Sequence, residues 1–430
     1  MHRNQKKVGF ITLGITLIFG GSLMLFTRFS DSEIFNDIFL LWPLFLIILG
    51  LEFILTKLYY DVKQKNVQLS PSGISIFLII IILFTSFLWT STGFRLNFNT
   101  GLNWNVSQYQ YTLDKTIEDD SIPIEGVEKV IVENPRGDVS IVSSDGAEKI
   151  AVEVDFKIAT NDKEAAEGLL DQLLDIKRGS TTRISIKNID SDSLHSLQAS
   201  DITIHMPPEP GLDITTQFGN VAVSDIKNEV NIRGRHGSTD ISDIQGDVTV
   251  ENEYGSVRIK QIRGNLNLSN THGRVEADDV TGYAEMKNSY DETIAKNINK
   301  DLKLTTKHGR AFVDNIGGSV NLTNAYAPTL IYNVEGDARI KAEHSELEME
   351  NILGNIDGTT SYSTIRLENT SYENTDIKVE TSYSDIIADS AAGLSTTDKN
   401  NYQEGSALNG DGEQKIRLKT QHGDIRVHVK

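Results

Sequence analysis

The chain has 430 residues, with 60 acidic against 41 basic side chains and no cysteine. Without thiols it can be neither a disulfide-stapled scaffold nor a protein with a thiolate metal site or cysteine nucleophile. A formal charge of −19 excludes the basic surface on which nucleic-acid phosphates dock. The charge is unevenly spread, because the stretch up to Arg95 holds 8 Lys/Arg and 5 Asp/Glu, leaving 33 against 55 beyond it.

Three apolar runs come first, at about 8–26, 38–56 and 74–90. Each is close to the roughly 20 residues that carry a helix across a ~30 Å hydrocarbon core. The expectation is therefore a three-helix transmembrane region over 1–95, with the membrane as an integral partner. Arg3, Lys6 and Lys7 precede the first run, and Lys57, Lys63 and Lys65 lie between the second and third. The other loop has only Arg28. That bias predicts a cytoplasmic N-terminus and an extracytoplasmic C-terminal part in a bacterial cell membrane. Trp42, Trp89 and Trp104 fall where this topology puts the outer interface. Glu52 lies about a turn from Lys57 and reads as an interfacial carboxylate rather than part of an ion pathway. The stretch LWPLFLIILGLEFIL (Leu41 to Leu55), with its short paired spans, resembles the LiaF/LiaI-type membrane region of bacterial cell-envelope stress proteins. That resemblance implies a role in envelope-stress signalling.

Residues 96–121 are polar without clear periodicity and read as a juxtamembrane linker. A β-rich module follows over 122–210. Its short alternating runs, such as VEKVIVEN and GDVSIVSS, suit strands, and NDKEAAEGLLDQLLDI at 161–176 suits one short helix. Pro207, Pro208 and Pro210 break the ladder before a new strand begins.

From Phe218 the sequence is periodic. Phe218, His236, Tyr254, His272, Tyr290, His308, Tyr326, His344 and Tyr362 are successive anchors 18 residues apart, with His and Tyr alternating after the first. In the unit YGSVRIKQIRGNLNLSNT the apolar residues are Val257, Ile259, Ile262, Leu266 and Leu268, at +3, +5, +8, +12 and +14 from the anchor. Pairs spaced by two are strand alternation, and glycines after the anchor and at +10 punctuate the unit. Two short strands and two corners per unit predict an all-β parallel β-solenoid of 18-residue coils over 211–430. One coil cannot bury its apolar side chains alone, so stability accumulates by stacking at ~4.8 Å per coil. The spacing slips after Tyr362: the next anchors in sequence are Tyr383 and His422, and 391–412 reads as a solvated loop insertion.

The early strands, the single helix, the HMPP turn and the FGNVAV opening (Phe218 to Val223) occur in an order that resembles the bacterial putative-adhesin (LiaG-like) domain family. The resemblance covers roughly 122–430 and implies surface binding without a transferable catalytic motif.

Several tempting sites read as structural. Same-column histidines are two coils, about 9.6 Å, apart, too far to share an ion that needs nitrogens at ~2.0–2.1 Å. The nine anchors therefore read as a structural ladder of stacked rings, and no metal site is expected. Arg136-Gly137-Asp138 spells an integrin-type tripeptide but matches the repeat's own turn, as at Gly219-Asn220-Val221. Asn252, Asn270, Asn288 and Asn324 share position +16 and suit an internal ladder at a turn. The acidic pairs Asp278-Asp279 and Asp411 near Glu413 lack the spacing of calcium repeats. With no phosphate loop or nucleophile elbow, no cofactor is expected. The functional expectation is a non-catalytic, adhesin-like module of the bacterial envelope whose partner is an envelope protein or a wall polymer. A membrane regulator of envelope stress and a carbohydrate-active enzyme are the alternatives.

Overall fold

Each 18-residue unit places two alternating runs either side of a corner, and in the computed structural model each unit becomes two strands facing one core. The structure describes residues 5–8, 51–52, 54–59, 68–71, 111–187 and 195–429. The chain divides into a unit over Met1–Gln108 and a unit over Tyr109–Lys430.

In the second unit the described residues form a 16-stranded and a 15-stranded sheet. Strands of successive coils pair in parallel with the 18-residue register of the sequence, so Val257 meets Val275 and Leu266 meets Ala284. The inward positions of the unit from Tyr254 (Val257, Ile259, Ile262, Leu266 and Leu268) are all at most 1% exposed. The same positions of neighbouring coils join them in one apolar cluster running from Ile122 to Val427. Positions +5 and +8 both point inward, which strict alternation forbids. The backbone resolves this at +7, where Asp225, Asp243, Gln261, Asp279, Asn297, Asn315, Asn333 and Asn351 take φ between 53° and 61°. Asp and Asn tolerate this left-handed conformation better than most side chains.

The first unit corrects an expectation. Among the described residues no helix is long and apolar enough to cross a membrane. The three-helix transmembrane region, and the membrane as an integral three-span partner, are therefore not part of the fold seen here. What is described is a parallel pairing of Gln5–Val8 with Gln68–Pro71 and helical residues at 51–52 and 54–59. Val8, counted as the start of the first run, is in a strand whose backbone partners come from a distant segment rather than from its own next turn. Apolar content is shared by buried strands and spanning helices, so a hydropathy count does not separate them. The remainder of 8–26 and 38–56, apart from 51–52 and 54–56, and all of 74–90 lie outside the described residues.

The segment read as a linker contributes a strand from Tyr111 onward. Tyr111–Pro123 pairs antiparallel with Lys149–Thr160, which pairs antiparallel with His195–Met206. Leu113 and Ile117 face the core while the residues between them are charged or polar; the alternation is present but diluted by acids. The helix spans Lys163–Leu173, with the Asp162 carboxylate accepting from the Ala165 N–H at 3.1 Å as its N-cap. It buries Ala166, Leu170 and Leu173. Residues 174–176, expected to be helical, belong instead to the strand Leu174–Lys177, paired with Thr181–Ile186.

The C-terminal end is threaded differently from its sequence order. Gln414–Thr420 lies between Ile356–Ser361 and Thr375–Ser382, parallel to both. Ile425–Val429 likewise lies between Ile365–Asn369 and Ile386–Ala388. The expected loop at 391–412 is largely a hairpin of Ser395–Lys399 and Tyr402–Leu408, which adds to Thr375–Ser382. Its turn, Asn400-Asn401, has positive φ at both residues, the requirement of a type I′ hairpin turn.

Tyr372 is sealed in this region at 3% exposure, its hydroxyl donating to the His428 carbonyl at 3.0 Å. Burial pushes its phenol above the ordinary value, and the charges of Glu368 and Asp389 add to this. A raised folded pKa means that the stability is fully present below the unfolded phenol's pKa of about 10 and is lost as the pH climbs past it. The expected loss approaches about 1.4 kcal/mol per pH unit. Thermal melts from about pH 9 to 11 should show a shallower alkaline decline for Tyr372→Phe than for the native chain; equal declines would remove Tyr372 as its source.

Candidate functional site

The anchors meet along one corner of the stack, where strand pairing places Phe218 against His236, His236 against Tyr254 and Tyr254 against His272. From Phe218 to Tyr362 their rings stack in sequence with centroids 4.5–5.5 Å apart and planes within 13°. Beyond Tyr362 the next ring in space is His422 at 4.7 Å, and Tyr383 follows at 5.0 Å. Tyr–His alternation therefore persists only because the last coil inserts. The ridge is open to solvent, with Tyr326 57% and Tyr383 65% exposed. Its ring faces are nevertheless consumed by neighbours, and the outer face of Phe218 is covered by the Arg136 guanidinium at 5.5 Å. From Phe218 to His422 a sugar that binds by stacking has no free face, so this part of the ridge presents edges and hydroxyls.

Just inside this corner runs a polar column. Asn252, Asn270 and Asn288 are 3–7% exposed. The Asn270 amide donates to the carbonyls of Gly255 (3.3 Å) and Gly273 (3.0 Å), and the Asn288 amide to those of Gly273 (3.1 Å) and Asp291 (3.0 Å). Thr306 continues the column by donating to the Gly309 carbonyl at 2.9 Å, and Asn324 to that of Ala327 at 2.7 Å. These groups satisfy corner carbonyls that the sheets leave unpaired.

Other flagged residues fall into turns. The Gly137 N–H donates to the Phe218 carbonyl at 2.6 Å, and Asp138 accepts from the Asn220 N–H at 2.7 Å. The Arg136-Gly137-Asp138 tripeptide is thus a corner between two strands that are each paired on both sides. Asp278 accepts from the Asn297 amide at 2.6 Å, and Asp411 from the Glu413 N–H at 3.4 Å. Among the described residues no group of three or more His, Asp or Glu is placed to hold a metal ion.

A concavity lies on the 16-stranded sheet, beside the second corner. It is a groove of about 730 Å³ crossing the coils from Tyr283 to Arg417. Lys300, Lys303, Arg339, Lys415 and Arg417 line it together with Glu285, Asp301, Asp337 and Asp357. Asp301 and Asp337 cap backbone, accepting from the N–H groups of Ser319 and Asn355 at 2.8 Å each. Lys303 pairs with Glu285 at 3.1 Å and Arg339 with Asp357 at 3.7 Å. Lys303 and Lys287 together hold the Glu285 carboxyl below the usual carboxylate range. Arg417 is paired with Asp376 at 2.5 Å, so the lining mixes five cations with four carboxylates. Its lining comes from columns +11 and +13, so the signal was in the repeat, but as outward residues of unequal character rather than a motif.

The chain matches no protein-family model and no curated protein by sequence. The resemblances to the LiaG-like and LiaF/LiaI-type families therefore stand on the quoted residues alone. Among solved structures it is similar to a putative cell adhesion protein from Clostridium sporogenes, at 13% identity over 74% of this chain and 100% of that one, with a TM-score of 0.21. It is similar also to a putative adhesin from Parabacteroides merdae (11% identity, 75% and 97% covered, TM-score 0.26). A putative lipid binding protein from Parabacteroides distasonis shows the same level of likeness (12%, 73% and 96%, TM-score 0.24). At such TM-scores the likenesses carry no argument about this chain.

Proposed function

We propose that the chain is a non-catalytic, adhesin-like binding module of a bacterial cell surface, holding an extended wall polymer along the groove of the 16-stranded sheet. The observation that carries this reading is the groove itself. It crosses six coils from Tyr283 to Arg417, about 24 Å at ~4.8 Å per coil, which suits a chain of repeating groups better than a compact metabolite. Its cations are set at regular intervals by the coil spacing and offer charge-assisted hydrogen bonds to carboxylates or phosphates. Within the groove the Glu285 carboxyl is pushed down by Lys303 and Lys287, whereas a glycosidase acid must be pushed up.

The full chain should be retained by purified wall polymer, and the combined Lys303→Ala, Arg339→Ala, Lys415→Ala variant should bind at least about tenfold more weakly. No retention of the native chain, or retention untouched by the triple variant, would overturn the groove assignment. Turnover of the polymer would replace binding by catalysis.

A further inference from the structure

Resting on the groove reading, we propose that the polymer held there is an acidic glycan with one carboxylate per disaccharide, rather than a chain charged on every unit.

The strands that floor the groove alternate in character. Leu302–Thr306 carries Lys303, Ala338–Glu343 carries Arg339 and Lys341, and Gln414–Thr420 carries Lys415, Arg417 and Lys419. Between them, Val320–Ala325 offers Asn321 and Thr323, and Ile356–Ser361 offers Asp357 and Thr359. The ladder sets these side chains in line: Lys303 meets Asn321, Asn321 meets Arg339, Arg339 meets Asp357 and Asp357 meets Arg417. Cationic strands therefore recur at every second step, about 9.6 Å at ~4.8 Å per coil.

This period belongs to the folded sheet. In sequence Arg339 follows Lys303 by 36 residues (339 − 303), and Arg417 follows Arg339 by 78 (417 − 339). The spacing becomes even only because Gln414–Thr420 enters the sheet beside Ile356–Ser361.

The period selects the ligand. A pyranose in an extended chain advances by about one coil spacing, so a disaccharide advances by about two. A glycan lying along the rod then sets an acidic sugar over each cationic strand and a neutral sugar over each strand between. Asn321 and Thr323 supply amide and hydroxyl groups to a neutral ring, and the Asp357 carboxylate accepts from ring hydroxyls. Tyr283, half exposed, stands where the lining begins and offers its ring to a terminal sugar.

The cations are available to such a ligand. Lys303, Arg339 and Lys341 are each more than half exposed, paired with Glu285, Asp357 and Glu343. Exposed pairs of this kind contribute little and exchange readily for a ligand carboxylate. Asp301 and Asp337 are already committed to the backbone N–H groups of Ser319 and Asn355. Asp357 supplies the discrimination. A polymer with a carboxylate on every ring would press one of them against it, a like-charge contact that rejects the ligand.

The full chain should be titrated with size-matched oligomers of hyaluronan, charged on alternate sugars, and of β-linked polyglucuronate, charged on each. Hyaluronan should bind at least about tenfold more tightly. Asp357→Asn should cut that preference to within about threefold by strengthening polyglucuronate, whereas a merely structural role would weaken both ligands. Asn321→Lys, which adds a cation at the half period, should move the preference the same way. Circular dichroism melts establish that each variant is folded. Binding of neither oligomer, equal binding, tighter binding of polyglucuronate, or a preference unmoved by Asp357→Asn each overturns the proposal. If wall polymer is still retained through Lys303, Arg339 and Lys415, this proposal alone falls; if the native chain retains none, the groove reading falls with it.

Discussion

Ending the chain after Gly412 is expected to melt the C-terminal coils while leaving the upstream stack folded. The deleted strands, Gln414–Thr420 and Ile425–Val429, are interior members of their sheets, paired on both sides. Ile416, Leu418, Ile425 and Val427 are each at most 2% exposed. At about 1.5–3 kcal/mol per buried aliphatic side chain, their removal costs roughly 6–12 kcal/mol before the broken ladders are counted, an upper range because unfolded chains already bury some surface. Coils interact with nearest neighbours only, so the damage should stay local. Hydrogen exchange should show protection lost across 375–408 and kept across 221–334. Unchanged protection over 375–408 would contradict the threading described here.

The second large effect is at a corner. Gly255→Ala is expected to destabilise the stack by about 3–4 kcal/mol, read as a fall in denaturation midpoint. Gly255 has φ of +131°, and a Cβ there would lie 2.1 Å from the carbonyl oxygen of Gly237 in the coil before it. The substitution therefore combines a backbone conformation hostile to L side chains with a clash that spans two coils. The same corner is built otherwise in later coils: Ala327 and Ser345 replace the glycine, and the positive φ moves to the anchors Tyr326 (71°) and His344 (51°). Ala327→Gly should accordingly change stability by less than about 1 kcal/mol. Equal costs at the two positions would mean that the corner geometry is not what limits substitution.

The two corner solutions show where sequence reading reaches its end. A glycine after the anchor is visible in the sequence, but not that, where Ala327 or Ser345 replaces it, the left-handed backbone passes to the anchor itself. The +7 column was missed for a related reason. Its Asp and Asn residues look like ordinary surface polarity until the three-residue spacing between inward +5 and +8 demands a bend. The acidic strand at Tyr111–Pro123 was hidden by composition, since Leu113 and Ile117 carry its alternation amid charges. The Asn400-Asn401 hairpin had a legible turn signal that was outweighed by the polarity of its flanks.

The groove was legible least. Its cations belong to no spaced motif and become a set only when stacking puts Lys303, Arg339 and Arg417 on one wall. The apolar runs of the first 95 residues misled in the opposite direction, because hydropathy records what a segment avoids and not which backbone partners it takes.

What the sequence by itself determined is the local rule of the stack: an 18-residue period, which residues point inward, and a ring ladder at one corner. These follow from side-chain alternation and repetition, which act within one unit and its neighbour. Only the tertiary structure decided the order of the coils at the C-terminal end, where Tyr362, His422 and Tyr383 stack in an order different from the chain's. Every coil offers nearly the same edge, so local preference cannot say which segment pairs with which. That choice is settled by which arrangement buries the last strands on both sides and leaves a hairpin to cover the edge.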